Sequence, residues 1–270
     1  MDIDALFDRL WTDYTNSNPS ARKIVELFEK EGEVVVNDHI AFRTLDDPRI
    51  NIDIIAFPFI RNGYVPKGEY FFEDKHLYAR HYELPGNPLA PRVFISQLLL
   101  DEVSSFARKV LLDAVDKIPK ERLWEDDLVY AGSISGPVSY EVYTRLREES
   151  EYAAWFYVFG FRANHFTVSV NALKKFGSLS AVNQLLKQYG FLLNTSGGEI
   201  KGNASDLLLQ SSTRADIVTW RFLEGNYEIP CCYYEFAQRF PMPDGQFFSG
   251  FIAQSADKIF ESTDFYKSDK

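Results

Sequence analysis

His39 and His165 each stand at the head of the same small pattern. Asn37-Asp38-His39 opens the run IAFRT and Ala163-Asn164-His165 opens FTVSVN, so a histidine preceded by Asp or Asn twice begins a stretch of β-branched and aromatic residues. Such stretches form strands. A third run, Cys231-Cys232-Tyr233-Tyr234-Glu235-Phe236, is equally strand-like and carries a single carboxylate. Two imidazoles and one carboxylate are the parts of a facial triad, which holds a divalent metal on one side and leaves the other open to substrate and dioxygen. His39, His165 and Glu235 are therefore candidate metal ligands. Plainer readings stand beside this one: a strand histidine can be a satisfied core residue, and Glu235 can pair with Arg239 on the same strand face. An ionised carboxylate among Cys, Tyr and Phe is costly unless paired, hydrogen-bonded or coordinated.

Strand alternation groups the neighbours of these residues. His39, Ala41 and Arg43 share one face, as do His165, Thr167 and Ser169, and Tyr233, Glu235, Ala237 and Arg239. The opposite faces, Ile40/Phe42, Phe166/Val168/Val170 and Tyr234/Phe236, are apolar, as a helix-covered side should be. Four residues of strand put Arg43 about 13 Å from His39. From there a guanidinium could hold a substrate carboxylate while the metal takes the other end. Gln210 and Ser212, which share a face of LLLQSS, and Arg239 are further candidate substrate contacts; Ser211–Arg214 reads equally well as a strand-end turn. His81, in the strand-like Tyr78-Ala-Arg-His-Tyr, is a reserve candidate beside the site, and His76 reads as a surface residue.

The elements that must position these side chains follow one order twice. Residues 1–34 read as a helical hairpin, with apolar residues at helical spacing over 2–15 and again after Ser20. Residues 35–100 read as a βαβββ module: the His39 strand, a helix from Asp47-Pro48 to Gly63 interrupted by Pro58, and strands at 70–72, 77–84 and 92–99. Residues 101–160 form a helical connector, with helices at 101–118 and about 138–152. Residues 161–240 repeat the module, with the His165 strand, a helix over 179–189, strand-like runs at 191–195, 207–212 and 215–222, and the Glu235 strand. Residues 241–270 form a C-terminal extension to the single domain 1–270. The expected fold class is α+β, two βαβββ modules pairing mixed sheets into a metal-binding cup, because each module alone leaves an apolar sheet face uncovered.

Composition narrows the partners. In 270 residues with 46% hydrophobic and 25% charged, the net charge is −10 and no Lys/Arg-rich block occurs, which argues against nucleic acid or an anionic membrane as partner. No run approaches the roughly 18 apolar residues of a membrane span, and the start MDIDALFDRL lacks a basic-then-apolar leader, so a cytoplasmic location is expected. Cys231 and Cys232 are adjacent, which excludes a disulfide framework. With 23 Phe, 15 Tyr and 4 Trp against 2 Met, rings must fill much of the core and line any cavity. There is no phosphate-binding glycine loop, G-x-S-x-G elbow, H-E-x-x-H pair or C-x-x-C.

Four segments, NDHIAFRT, NHFTVSVN, LLLQSSTRAD and IPCCYYEFAQRF, together resemble the family of YdcJ-like 2-oxoadipate dioxygenase/decarboxylases (2-hydroxyglutarate synthases), within the vicinal oxygen chelate superfamily. The likeness spans nearly the whole chain. It implies a non-haem Fe(II) centre on His39, His165 and Glu235, with Arg43 anchoring a substrate carboxylate. The implied reaction oxidises 2-oxoadipate with dioxygen to 2-hydroxyglutarate and carbon dioxide, in lysine catabolism. The competing reading is a Zn(II)- or Ni(II)-dependent isomerase or hydrolase of the same superfamily acting on a small carboxylate. Glyoxalase-type sites usually add a fourth protein ligand; the first module's last strand, RVFISQLL, offers only Gln97, which favours iron.

Overall fold

The computed structural model describes residues 1–133 and 136–253. It begins with α1 (Ile3–Ser17) and α2 (Pro19–Lys30), the expected hairpin, with Asp2 capping the first helix and Pro19 opening the second. The first module follows as β1 (Asn37–Leu45), α3 (Ile52–Arg61), β2 (Val65–Phe72), β3 (Leu77–Glu83) and β4 (Arg92–Leu98). Three helices connect the modules: α4 (Ser105–Val115), α5 (Tyr140–Glu149) and α6 (Glu151–Phe159). The second module is β5 (Ala163–Ser169), α7 (Leu179–Gln188), β6 (Lys201–Asn203), β7 (Leu208–Ser212), β8 (Ile217–Phe222), β9 (Gly225–Pro230) and β10 (Tyr233–Arg239).

The two expected mixed sheets meet edge to edge. Each module contributes four strands, ordered β2-β3-β4-β1 and β5-β10-β7-β6, and an antiparallel β1–β5 pair joins them into one eight-stranded sheet curled into a half-barrel. Each module's first strand would otherwise be an edge with unpaired N–H and C=O groups, and the other satisfies it. The convex side carries Ile40, Phe42, Phe166, Val168, Tyr234 and Phe236, all buried. Helices cover it: Trp11 of α1 packs edge-on against Phe166 at 5.1 Å, and Phe59 of α3 lies 5.5 Å from Phe42. The concave side is left for polar groups. Among the described residues no helix is long and apolar enough to cross a membrane.

Several local expectations are corrected. α3 starts at Ile52, not Asp47, because the Asn51 side chain accepts from the N–H groups of Asp53 and Ile54, while Asp47 is tied to Arg49. The 101–118 helix shortens to α4, capped by Ser104. The expected helix near 138–152 is two helices, and α6 (EYAAWFYVF) escaped notice because it is apolar almost all round and has no helical periodicity to read. Run 215–222 is not a strand of the second sheet; it pairs with β9 in a separate two-stranded ribbon inserted before β10. Residues 191–195 contribute only an isolated bridge, Leu193 to Thr213. Of the C-terminal extension, residues 254–270 lie outside the described residues.

Candidate metal centre

β1 and β5 bring the two histidines to the middle of the concave face through a matched irregularity. In the β1–β5 ladder Asn37 pairs with Val168 and His39 with Thr167, so Asp38 is an extra, bulged residue; Ala41 pairs with His165 and Phe42 with Ala163, so Asn164 is bulged on the other strand. A bulge lets two successive side chains lie near each other instead of on opposite faces. Asp38 Oδ1 thereby reaches His39 Nδ1 at 2.8 Å and Asn164 Oδ1 reaches His165 Nδ1 at 3.2 Å. Carboxylate and amide oxygens only accept, so each Nδ1 carries the proton and each Nε2 keeps its lone pair. The Asp or Asn before each histidine thus fixes the tautomer that a metal ligand needs.

Glu235 of β10 completes the group. Its Oε1 lies 3.5 Å from His39 Nε2, its Oε2 lies 3.2 Å from His165 Nε2, and one donor atom from each of the three residues falls within 4.8 Å of the others. All three side chains are buried. Gln210 of β7 donates its amide N–H to Oε1 at 2.6 Å, whereas Oε2 has no hydrogen-bond partner among the described residues. Burial pushes the Glu235 carboxyl up to about 8 despite the Gln210 bond. Burial also pushes His39 down, against the Asp38 hydrogen bond, and pushes His165 far down, with the Arg43 charge adding. Two neutral imidazoles whose lone pairs face the two oxygens of one buried carboxyl, Oε2 with no other partner among the described residues, can share a proton or a cation with it, and a divalent cation displaces the proton. The residues fit a divalent metal.

The same face holds the other residues singled out in the sequence. Arg43 is buried, donates to Glu151 at 2.9 Å, and lies over the rings of Tyr152 and Trp155, so α6 closes this end of the cup. Gln210 orients Glu235, and Ser212 is the cross-strand partner of Glu235. Arg239 is not the partner of Glu235. Its Nε and Nη2 donate to both oxygens of Asp38 at 2.7 and 2.8 Å, and its Nη1 donates to the carbonyls of Phe248 and Gly250. It therefore locks the group that orients His39. His81 is buried in the first module between Tyr70 and Glu83, whereas His76 bonds Glu102 at the surface. The two cysteines are free thiols with Sγ atoms 3.5 Å apart.

Sequence reasoning missed three wall residues. Lys201 is buried opposite Gln210, its ammonium donating to the Asn194 carbonyl at 2.6 Å; β6 is only three residues long, too short for alternation to be read. Arg92 reaches Asp38 at 3.5 Å. Phe251, which no pattern marks, lays its ring 4.8 Å from that of His39 and also packs on Phe94. Outer groups that orient a ligating histidine are worth about 10- to 100-fold in metal affinity. Asn164→Ala should accordingly weaken divalent metal binding by about 10-fold with little change in the metal-free melting temperature. A competition titration with a chelator checks it, and unchanged affinity would dismiss the orienting role.

Comparison with known proteins follows the same lines. Residues 6–130 and 126–247 match the sequence model of the 2-oxoadipate dioxygenase/decarboxylase family. The crystal structure of the Oryza sativa hydroxyglutarate synthase in complex with 2-oxoadipate superposes with a TM-score of 0.90 at 33% identity, covering 96% of this chain and 91% of that one. A Shewanella frigidimarina protein with a provisional hydrolase name is 47% identical, with a TM-score of 0.89 over 93% of this chain and 98% of its own. A Ralstonia eutropha protein described as of the glyoxalase superfamily, 19% identical with a TM-score of 0.73 over 90% of this chain and 83% of its own, shares the fold.

Proposed function

The chain belongs to the 2-oxoadipate dioxygenase/decarboxylase family, and from that membership and the cluster geometry we propose that it is an Fe(II)-dependent dioxygenase/decarboxylase of a 2-oxo dicarboxylic acid. Its substrate is 2-oxoadipate or a close homologue. One dioxygen is consumed; C1 leaves as carbon dioxide, C2 becomes a carboxyl, and the neighbouring carbon is hydroxylated, giving a 2-hydroxy acid. The observation that carries the proposal is the buried Glu235 carboxyl set against both Nε2 atoms, Oε1 toward His39 and the orphaned Oε2 toward His165. Bound iron(II) would supply the electrons that activate dioxygen and a Lewis-acid contact for the 2-oxo acid.

The chain's own groups do the rest. His39, His165 and Glu235 would hold the metal, and Asp38, Asn164 and Gln210 fix their orientation. Arg43, steadied by Glu151 and two aromatic rings, gives the substrate carboxylate a positive partner inside the cup. Of the expected substrate contacts Gln210, Ser212 and Arg239, Ser212 keeps that assignment, while Gln210 and Arg239 act through Glu235 and Asp38. Phe94, Tyr233 and Phe251 enclose the site in rings, which keeps water from a reactive oxidant.

Anaerobic loading with Fe(II), followed by oxygen uptake and carbon dioxide release across C4–C7 2-oxo acids, tests the reading. Stoichiometric uptake and release with 2-oxoadipate supports it. Turnover without oxygen uptake, in zinc- or nickel-loaded protein, replaces it with the isomerase or hydrolase reading. A desolvated charge-assisted pair contributes about 1.5–3 kcal/mol, so Arg43→Ala should lower kcat/KM for dicarboxylic 2-oxo acids by about 10- to 150-fold at unchanged iron content. Arg43→Lys should not restore it, because an ammonium lacks the planar fork that stacks on Tyr152 and Trp155. Equal turnover of mono- and dicarboxylic 2-oxo acids by the parent would remove the need for such an anchor.

A further inference from the structure

Three polar atoms on the concave side of β7 and β10 are buried and have no hydrogen-bond partner among the described residues: Glu235 Oε2, Gln210 Oε1 and Tyr233 Oη. The first is explained by a metal and the second belongs to the side chain that orients it. Tyr233 Oη is explained by neither. Tyr233 stands two residues before Glu235 on the same strand face, and its ring stacks on that of His165, with centroids 4.7 Å apart and planes 28° apart. The charges of Glu235, Arg43 and Glu151 all act on its side chain.

The rest of the residue is pinned. Tyr14 Oη donates to the Tyr233 carbonyl at 2.5 Å, Trp155 Nε1 donates to the Cys231 carbonyl at 2.6 Å, and the next residue's N–H is held by Thr213 Oγ1. Backbone and ring are fixed while the hydroxyl alone is left unbonded. Tyr234 offers the contrast. Its hydroxyl is also buried and unbonded, but it points to the convex side beneath Tyr14 and Trp11, away from the cluster. A buried hydroxyl without a partner bears its full desolvation cost, and a donor fixed before the ligand arrives costs nothing further to orient.

We propose that the Tyr233 hydroxyl donates a hydrogen bond to an oxygen of the 2-oxo acid bound between the His39–His165–Glu235 cluster and Arg43, and so selects for an oxygen-bearing substrate at that position. This rests on the functional reading above. At neutral pH a phenol is protonated, so Tyr233 acts as a donor and not as a base.

The test compares the parent, Tyr233→Phe and Tyr234→Phe, each loaded anaerobically with Fe(II). Iron content, kcat/KM with 2-oxoadipate and with 2-oxohexanoate, and melting temperatures of the metal-free and the 2-oxoadipate-bound proteins under argon are measured. Tyr233→Phe should retain iron, melt no lower than the parent when metal-free, lose most of the ligand-induced rise in melting temperature, and lose about 10-fold or more in kcat/KM. Tyr234→Phe should likewise retain iron and melt no lower than the parent when metal-free, but keep both the ligand-induced rise and the parent's kcat/KM. Loss on both substrates puts the bond at the 2-oxo acid head; loss on 2-oxoadipate alone puts it at the distal carboxylate. Either supports the proposal. A Tyr233→Phe enzyme within twofold of the parent overturns it, as does an equal fall in melting temperature with and without ligand, which would mark a structural role. If the parent neither turns over nor is stabilised by any 2-oxo acid, the functional reading fails. The metal-free melting temperature then decides for Tyr233 alone: a fall overturns its ligand-facing assignment, and an unchanged or higher value sustains it.

Discussion

Glu235→Gln should abolish iron-dependent turnover, lowering kcat by more than about 1,000-fold, and yet leave the metal-free protein at least as stable as the parent. The two halves of this expectation come from one fact. In the metal-free protein ionising that carboxyl is costly: it is buried, and its Oε2 has only His165 Nε2 beside it. A neutral amide of the same shape can donate an N–H to that nitrogen and still accept from Gln210. With metal present the balance reverses, because an amide is a poor ligand for a hard divalent ion. Metal at about 100 times its dissociation constant stabilises the parent by about 2.7 kcal/mol, or roughly 5–10 °C in a domain of this size. The variant should show neither the rise nor the iron. Melting curves with chelator and with Fe(II) under argon, alongside metal analysis, provide the check. A variant that binds iron as tightly as the parent removes Glu235 from the centre, and one that melts well below the parent in chelator shows that the carboxylate is structural.

Arg239→Met should cost about 3 kcal/mol of folding free energy, at the low end of the range for removing one partner of a buried ion pair. Burial would raise the Asp38 carboxyl, but the Arg239 guanidinium and the His39 hydrogen bond together hold it well below the usual carboxylate range. Without Arg239 that charge keeps the His39 Nδ1–H at 2.8 Å and Arg92 at 3.5 Å, which is why the lower figure is chosen. The carbonyls of Phe248 and Gly250 also lose their donor. The sign with pH follows: a depressed carboxyl stabilises above its unfolded value near pH 4 and ceases to do so as pH falls, so the gap between parent and variant narrows on acidification. The double variant Asp38→Asn/Arg239→Met should recover part of the loss, since removing both charges leaves none uncompensated. Denaturant titration at neutral and acidic pH measures all three. A single variant within about 0.5 kcal/mol of the parent would mean the pair contributes nothing net to stability.

Much of the site was legible in the chain because it is written in short-range rules. Alternation assigns His39 and Arg43, His165 and Thr167, and Tyr233 and Glu235 to common faces wherever the strands lie, and the apolar partners Ile40, Phe42, Phe166 and Phe236 mark the covered side. The repeat of β-α-β order implied two modules, and the recurrence of His after Asp or Asn implied equivalent places in them. What alternation could not foresee is its own interruption. Asp38 and Asn164 reach the neighbouring histidines only because each is a bulge in the β1–β5 ladder, and a bulge exists only once two strands are paired. Arg239 likewise looked like a partner for Glu235 because both share β10; the curl of the sheet hands it to Asp38, two strands away, and to the segment ending at Phe251. Lys201 enters the wall from a three-residue strand with no pattern of its own, and α6 is uniformly apolar because it is enclosed. Spacing along one strand was enough to say which side chains share a face and what chemistry they could carry, because both properties are local. Which charges meet, which oxygen is left without a partner and which ring closes the cup depend on strands brought together from opposite ends of the chain, so those features exist only in the folded molecule.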